Sequence, residues 1–246
     1  MKAQTDEKNA EGTALEPEGV RRMFSRIAPR YDLLNHLLSF HVDRWWRRRT
    51  ARRYQRVLER PGARALDLCC GTGDMIAALR RRAVASARIY GVDFSRPMLE
   101  RAGLKMGADS ACLLAEADAL RLPFPDGGFD LVTTAFGFRS LADYKRALAE
   151  IYRVLAPGGE VGILEFSEPR SRLFGRLYGF YLRRLLPWIG GRISGDRAAY
   201  RYLQTSVAGF PSRVQLAGWM SEAGFAEVRV QKLSGGIACL HTARKS

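Results

Sequence analysis

The chain has 246 residues, 47% of them hydrophobic, enough for one well-packed domain, and a formal net charge of +15. Its four cysteines (Cys69, Cys70, Cys112, Cys239) form no Cys-x-x-Cys pair, and its three histidines (His36, His41, His241) do not cluster with them, so neither a metal site nor a disulfide framework is indicated. That usage fits a reduced, cytoplasmic protein, and no run approaches the roughly 18 consecutive apolar residues that span a bilayer.

Residues 1–19, "MKAQTDEKNAEGTALEPEG", lack the apolar core of a secretory signal and read as a disordered leader, followed by a single domain over 20–246. Residues 20–60 hold 12 Arg against Asp32, Asp43 and Glu59, a net of +9. From residue 63 short apolar runs alternate with helical stretches. Strands are expected at 63–70, 88–94, 111–118, 129–136 and 160–166, with helices at 73–83, 95–107 (Ser95 as its cap) and 141–155. The last helix carries Leu148, Ile151, Val154 and Leu155 on one stripe and stops at "APGG". The rhythm breaks at 171–204, which is aromatic and basic. A helix at 211–224 follows, then strands at 227–233 and 236–243 joined tightly enough for an antiparallel hairpin. The whole predicts an α/β fold, a doubly wound, Rossmann-like, mostly parallel sheet that ends in an antiparallel pair.

In such sheets a ligand sits at the carboxyl ends of the strands, where their order reverses. "LDLCCGTGDM" (66–75) places Gly71 and Gly73 after the first strand, where the backbone must turn tightly and let a ligand approach. Asp67, Asp93 and Asp118 tip three successive strands, and Asp93 can accept hydrogen bonds from both hydroxyls of a ribose. A dinucleotide fingerprint wants a third glycine where this chain has Ile76. Asp67 and Asp74 also make the turn acidic, which disfavours a pyrophosphate and favours a cation. S-adenosylmethionine carries an ammonium and a sulfonium and no phosphate, so the electrostatics select it.

"LDLCCGTGD", "GVDFSRPML", "ADALRLPFPDGGFDLV" and "YRVLAPGG" together resemble class I S-adenosylmethionine-dependent methyltransferases. With "MFSRIAPRYDLLNHLLSFHVDRWWRR", "FGFRSLADYKRAL", "LEFSEP", "YRYLQTSVAGFP" and "LSGGIACLH", the chain over about 20–245 is similar to the C-methyltransferases of menaquinone and ubiquinone biosynthesis. The resemblance implies a sheet of seven strands, a helical substrate cap over 20–60, a helical lid over 171–204, and methyl transfer to a ring carbon of a polyprenylated quinol. It puts Thr72, Asp93, Asp118 and Ala119 on cofactor contacts, beside Asp67, Gly71 and Gly73. It puts Arg139 near the reacting ring and Tyr31 on the tyrosine of the N-terminal motif. The chain departs from the family at Cys69–Cys70 (Ala-Gly or Gly-Gly in many members), Ser140 (asparagine), His36 (an acid or asparagine), His41 (glycine) and Ala135 (a serine in some).

A ring carbon becomes nucleophilic when the adjacent hydroxyl loses its proton, so the site needs a positive or hydrogen-bonding group beside the phenolate and a route for the proton. Arg139 can stabilise the oxyanion but is a poor base, which leaves a water held by Arg139 with Tyr31 or an acid. Plainer readings stand beside these: Asp67 as a loop cap, Tyr31 as packing, Glu165 as a solvated or ion-paired acid, His241 as a structural histidine. The adjacent cysteines read as small fillers. The arginines of 20–60 and 170–201, and an isoprenoid-tailed substrate, point to an anionic membrane surface, with the enzyme attached peripherally at its inner face. No nucleic-acid partner is expected: "TAFGFR" lacks the Asn/Asp-Pro-Pro-aromatic signature of exocyclic-amine methylation. A homodimer, a benzoquinol in place of the naphthoquinol demethylmenaquinol, and a non-catalytic scaffold stay open at this stage.

Overall fold

The computed structural model describes residues 17–32, 36, 39–167 and 197–246. Among the described residues, helices with defined bounds ahead of the sheet are α1 (Pro17–Ile27), α2 (Val42–Arg53) and the one-turn α3 (Gln55–Leu58). Pro17 opens α1, where its missing N–H removes no helical bond, so the helix begins inside the stretch expected as leader. Then follow β1 (Arg64–Leu68), α4 (Asp74–Arg80), β2 (Arg88–Asp93), α5 (Arg96–Met106), β3 (Cys112–Glu116), β4 (Phe129–Ala135), α6 (Tyr144–Val154) and β5 (Leu155–Phe166). The chain ends with α7 (Arg197–Ala208), α8 (Arg213–Glu222), β6 (Phe225–Leu233) and β7 (Ala238–Lys245). No helix among the described residues is long and apolar enough to cross a membrane.

The seven strands lie in the order β3-β2-β1-β4-β5-β7-β6. The first five run parallel, and β7 enters antiparallel between β5 and β6. The hairpin expected at the carboxyl end closes through Ser234–Gly236, where Gly235 takes φ 68°. Strand order reverses between β1 and β4, and this switch point positions the site.

On one face α6 lays Leu148, Ile151 and Val154, all fully buried, against Leu66, Phe129 and Val161 of the sheet. Each such side chain contributes about 1.5–3 kcal/mol. On the other face Ile76 and Leu79 of α4 pack with Ile89 and Tyr54. Gly91 makes that packing possible: a Cβ there would collide with Ile76 and lie 2.8 Å from Leu114 Cδ2. The glycine absent from the helix at Ile76 thus has its counterpart in the facing strand.

Two strand ends near the site differ from expectation, and one cap is used differently. β5 begins at Leu155, because Leu155 already pairs with Phe129 before a register shift, and Pro157 and Gly158 lie within the extended segment. β3 stops at Glu116, so Asp118 lies in the loop beyond it. Ser95 does occupy the N-cap of α5, but its hydroxyl meets that of Ser25 on α1 at 3.1 Å. The expected lid over 171–204 falls largely on residues outside those described, and its last eight positions belong to α7.

Candidate active site

β1 delivers the chain into a turn in which Cys69 (φ 53°), Gly71 (φ 54°) and Gly73 (φ 84°) all adopt left-handed conformations. A non-glycine residue is held there at a cost of about 1 kcal/mol or more, so surrounding structure must impose it. Gly71 faces open space, the nearest atom to a Cβ being Tyr31 Cε1 at 3.9 Å. Gly73 instead lets α4 and α5 approach, since a Cβ would lie 3.1 Å from that of Ala102.

The turn forms part of the wall of a cavity of about 470 Å³, within the range of small-molecule sites. Tyr31, Asp67, Gly71, Thr72, Asp93, Asp118 and Ala119 all line it. The two other expected residues, Gly73 and Arg139, stand behind the wall, while Gly137 and Ser140 beside Arg139 form it. Asp93, at the tip of β2, accepts the backbone N–H of Gly71 through Oδ2 and of Ser95 through Oδ1, both at 2.9 Å. Phe94 adds a further backbone hydrogen bond to this carboxylate, which lies in the cavity wall. Burial raises the Asp93 pKa against the opposing pull of those backbone bonds. Asp118, exposed, turns one oxygen back onto the Leu120 N–H at 2.8 Å. Thr72 is buried, and its hydroxyl donates to Asp32 rather than toward the cavity.

Asp67 is buried in the cavity wall and accepts a bond from Thr133 Oγ1 at 2.8 Å. Burial pushes its pKa up to about 7, with Thr133 and Arg47 opposing and Asp93 and Asp74 reinforcing. A group bearing positive charge would relieve the crowding of these carboxylates, whereas a phosphate would aggravate it. The chain's residues therefore fit S-adenosylmethionine.

A polar network binds the N-terminal helices to the turn. Lys105 Nζ reaches Asp74 Oδ1 at 2.6 Å, Asp32 Oδ2 at 2.8 Å and Thr72 Oγ1 at 3.4 Å. His36 places Nδ1 2.8 Å from Asp43 and Nε2 3.4 Å from Asp74. Asp43 also pairs with Arg47 one turn along α2. Burial raises the Asp43 and Asp74 pKa values, but Arg47 leads the interactions that bring both carboxyls below their ordinary range. His36, Asp43 and Asp74 approach one another closely, with Arg47 and Lys105 already on the carboxylates. None of this was visible in the motifs; the i,i+4 spacing of Asp43 and Arg47 was its one sequence trace.

Behind Gly137 and Ser140, Arg139 Nη1 lies 3.2 Å from Glu165 Oε2, both side chains buried. Nη1 also donates to the Phe136 carbonyl, and Glu165 Oε1 accepts the Arg139 backbone N–H at 3.1 Å. Burial opposes the Arg139 charge most strongly, but Glu165 together with Tyr31 and Tyr202 raises the pKa and holds the guanidinium protonated. Around this pair stand Tyr31, Tyr202 and Phe24, whose ring meets each tyrosine edge-on at 6.0 Å. Glu165 is the acid that the sequence left undecided between solvent and an arginine.

The thiols of Cys69 and Cys70 are raised by burial and by Asp93, so they stay protonated. His41, at the N-cap of α2, stacks on His36 with ring centroids 5.7 Å apart. His241 is buried on β7, where burial lowers its pKa to about 4 and Nε2 lies 3.2 Å from the Arg213 carbonyl.

The sequence model of the ubiE/COQ5 methyltransferase family matches residues 11–245. A demethylmenaquinone methyltransferase from Thermus thermophilus is 52% identical over 89% of this chain and 98% of its own. Another from Deinococcus radiodurans is 47% identical over 90% of each chain. The ubiquinone/menaquinone biosynthesis C-methyltransferase UbiE of Geobacter sulfurreducens is 45% identical over 93% of this chain and 89% of its own. Among solved structures, a SAM-dependent methyltransferase from Thermotoga maritima superposes with a TM-score of 0.61 at 21% identity, covering 92% of this chain and 99% of its own. The [4+2]-cyclase SpnF does so with a TM-score of 0.66 at 19% identity, covering 94% and 97%.

Proposed function

Because the chain belongs to the ubiE/COQ5 methyltransferase family, we propose that it methylates a ring carbon of a polyprenylated quinol, converting demethylmenaquinol to menaquinol. It is an S-adenosylmethionine-dependent methyltransferase. The observation that carries the substrate reading is the buried Arg139–Glu165 pair beside an aromatic wall, at the edge of an acidic cavity suited to a cation.

S-adenosylmethionine supplies an electrophilic methyl group when bound. Asp93 would hold its ribose hydroxyls, with Ala119 and Leu120 beside the purine, Asp67 would answer its positive charge, and Gly71 would let it lie against the backbone. Phe24, Tyr31 and Tyr202 hold the quinol ring, which brings the attacking carbon into line. Arg139 stabilises the oxygen that becomes phenolate, and its charge is fixed in place by Glu165. The proton leaves to a water held between Arg139 and Tyr31, with Glu165 as the acid behind it.

The substrate lives in the bilayer, so the enzyme works at the inner membrane face, held there by its arginine-rich N-terminal helices. Purified enzyme given labelled S-adenosylmethionine with equal amounts of demethylmenaquinol and the matching benzoquinol tests the assignment. Preferential labelling of the naphthoquinol is expected; preferential labelling of the benzoquinol places the chain in ubiquinone synthesis instead.

A further inference from the structure

A second pocket, of about 360 Å³, opens on the far side of the Lys105 network, between α2, the end of α4 and α5. Its charged lining is mainly basic: Arg44, Arg47 and Arg48 from α2, Arg81 at the C-cap of α4, and Lys105 from α5, against Asp32 and Asp74. Arg47 is satisfied by Asp43, and Lys105 by Asp32 and Asp74. Arg44, Arg48 and Arg81 are exposed, and among the described residues none of them has an ion-pair partner. These three arginines line one concavity in which Asp32 and Asp74 are already engaged by Lys105, and the planar forks of guanidiniums match the oxygens of a phosphate.

The surroundings say what carries that phosphate. Arg44 and Arg48 follow one another by a turn of α2, and Trp45, beside them, is 47% exposed. Phe40, in the left-handed turn that leads into α2, is 75% exposed. Arg49 lays its guanidinium over the Trp45 ring, 5.7 Å from its centroid. A soluble anion has no use for exposed aromatics next to its site, whereas a lipid headgroup sits at the depth where indole and phenyl rings partition.

We propose that this pocket binds the phosphate of an anionic phospholipid headgroup, so that α2 seats the enzyme on the bilayer holding its quinol. The inference rests on the reading of a membrane-resident substrate and adds to it a defined site. The Lys105 network shares Asp32, Asp74 and Lys105 with the pocket, so a seated headgroup lies against the same side chains that tie the N-terminal helices to the cofactor turn.

The test is sedimentation of the full chain with phosphatidylglycerol-containing vesicles at low ionic strength, phosphatidylcholine vesicles serving as the neutral reference. Wild type is compared with a pocket triple (Arg44→Gln, Arg48→Gln, Arg81→Gln) and with a control triple of equal charge loss (Arg88→Gln, Arg101→Gln, Arg121→Gln). The pocket triple is expected to lose about a hundredfold in partitioning and the control triple no more than about threefold. Turnover of a short-tailed, water-soluble quinol stays within twofold or so of wild type in the pocket triple. Equal losses in the two triples overturn the pocket while leaving membrane binding intact. A wild type that ignores anionic vesicles overturns the membrane reading and the lipid assignment together. Saturable binding of inorganic phosphate, lost in the pocket triple but without vesicle binding, gives the site to a free anion and also overturns the proposal.

Discussion

Arg139 and Glu165 face each other at 3.2 Å with both side chains buried, one on the short turn after β4 and the other near the end of β5. The carboxylate holds Arg139 twice, accepting from the guanidinium Nη1 and from the backbone N–H of the same residue. Removing one partner strands a buried charge, which costs about 3–5 kcal/mol, whereas removing both does not. Arg139→Met and Glu165→Gln are each expected to lower the melting temperature, and the double variant to recover most of that loss. Methyl transfer stays low in all three with cofactor and quinol saturating. Recovery of turnover along with stability in the double variant reduces Arg139 to a packing role.

Asp93 accepts backbone N–H groups of the loop on both oxygens and lies in the cavity wall, where it can meet a ligand. Asp93→Asn keeps one acceptor and removes the charge, so cofactor binding weakens by about 1.5–3 kcal/mol, the range for hydrogen bonds to charged groups. Titration calorimetry showing wild-type affinity takes Asp93 out of the site.

Asp67 gives a pH signature. Its folded pKa, raised by burial to about 7, lies above the ordinary carboxylate value. The folded enzyme therefore holds this proton more tightly than the unfolded chain. The stability it contributes is complete below about pH 4 and is lost as pH rises through 7, a loss of up to about 4 kcal/mol. Asp67→Asn is accordingly expected to raise the melting temperature at pH 8. A cationic cofactor stabilises the ionised form, so binding tightens as pH rises through 7 and releases protons near pH 6.5. Calorimetry in buffers of different ionisation enthalpy measures that release; its absence, or equal release by Asp67→Asn, contradicts the assignment.

Gly91 and Ile76 are coupled through space that only one of them can fill. Gly91→Ala is expected to destabilise by about 1–3 kcal/mol through overpacking. Adding Ile76→Val relieves part of the loss, and a chemical-denaturation cycle on the two sites reads the coupling. Strict additivity contradicts the close approach.

The alternation of strand and helix, the switch point and the acid-tipped strands were legible because they follow from local period and from glycine at turns. Asp67, Asp93, Gly71 and Ala119 all reach the cavity wall, since each sits within two residues of a strand end or in the turn after it. Thr72 and Gly73 occupy the expected loop, but one turns its hydroxyl to Asp32 and the other packs against α5. That direction is fixed by tertiary neighbours and leaves no mark in spacing. The Lys105–Asp74–His36–Asp43–Arg47 network joins residues up to 69 positions apart, and the Arg139–Glu165 pair spans 26, separations at which periodicity carries no information.

In the proposed reaction the methyl group goes to a ring carbon of a naphthoquinol. Enzyme supplied with trideuteromethyl S-adenosylmethionine and demethylmenaquinol tests it when the product is analysed by mass spectrometry and deuterium NMR. A product carrying three deuterons on a ring methyl is expected, and the Arg139→Met variant loses that product. Label on a quinol oxygen, or a quinol returned unlabelled by enzyme that binds both ligands, contradicts it.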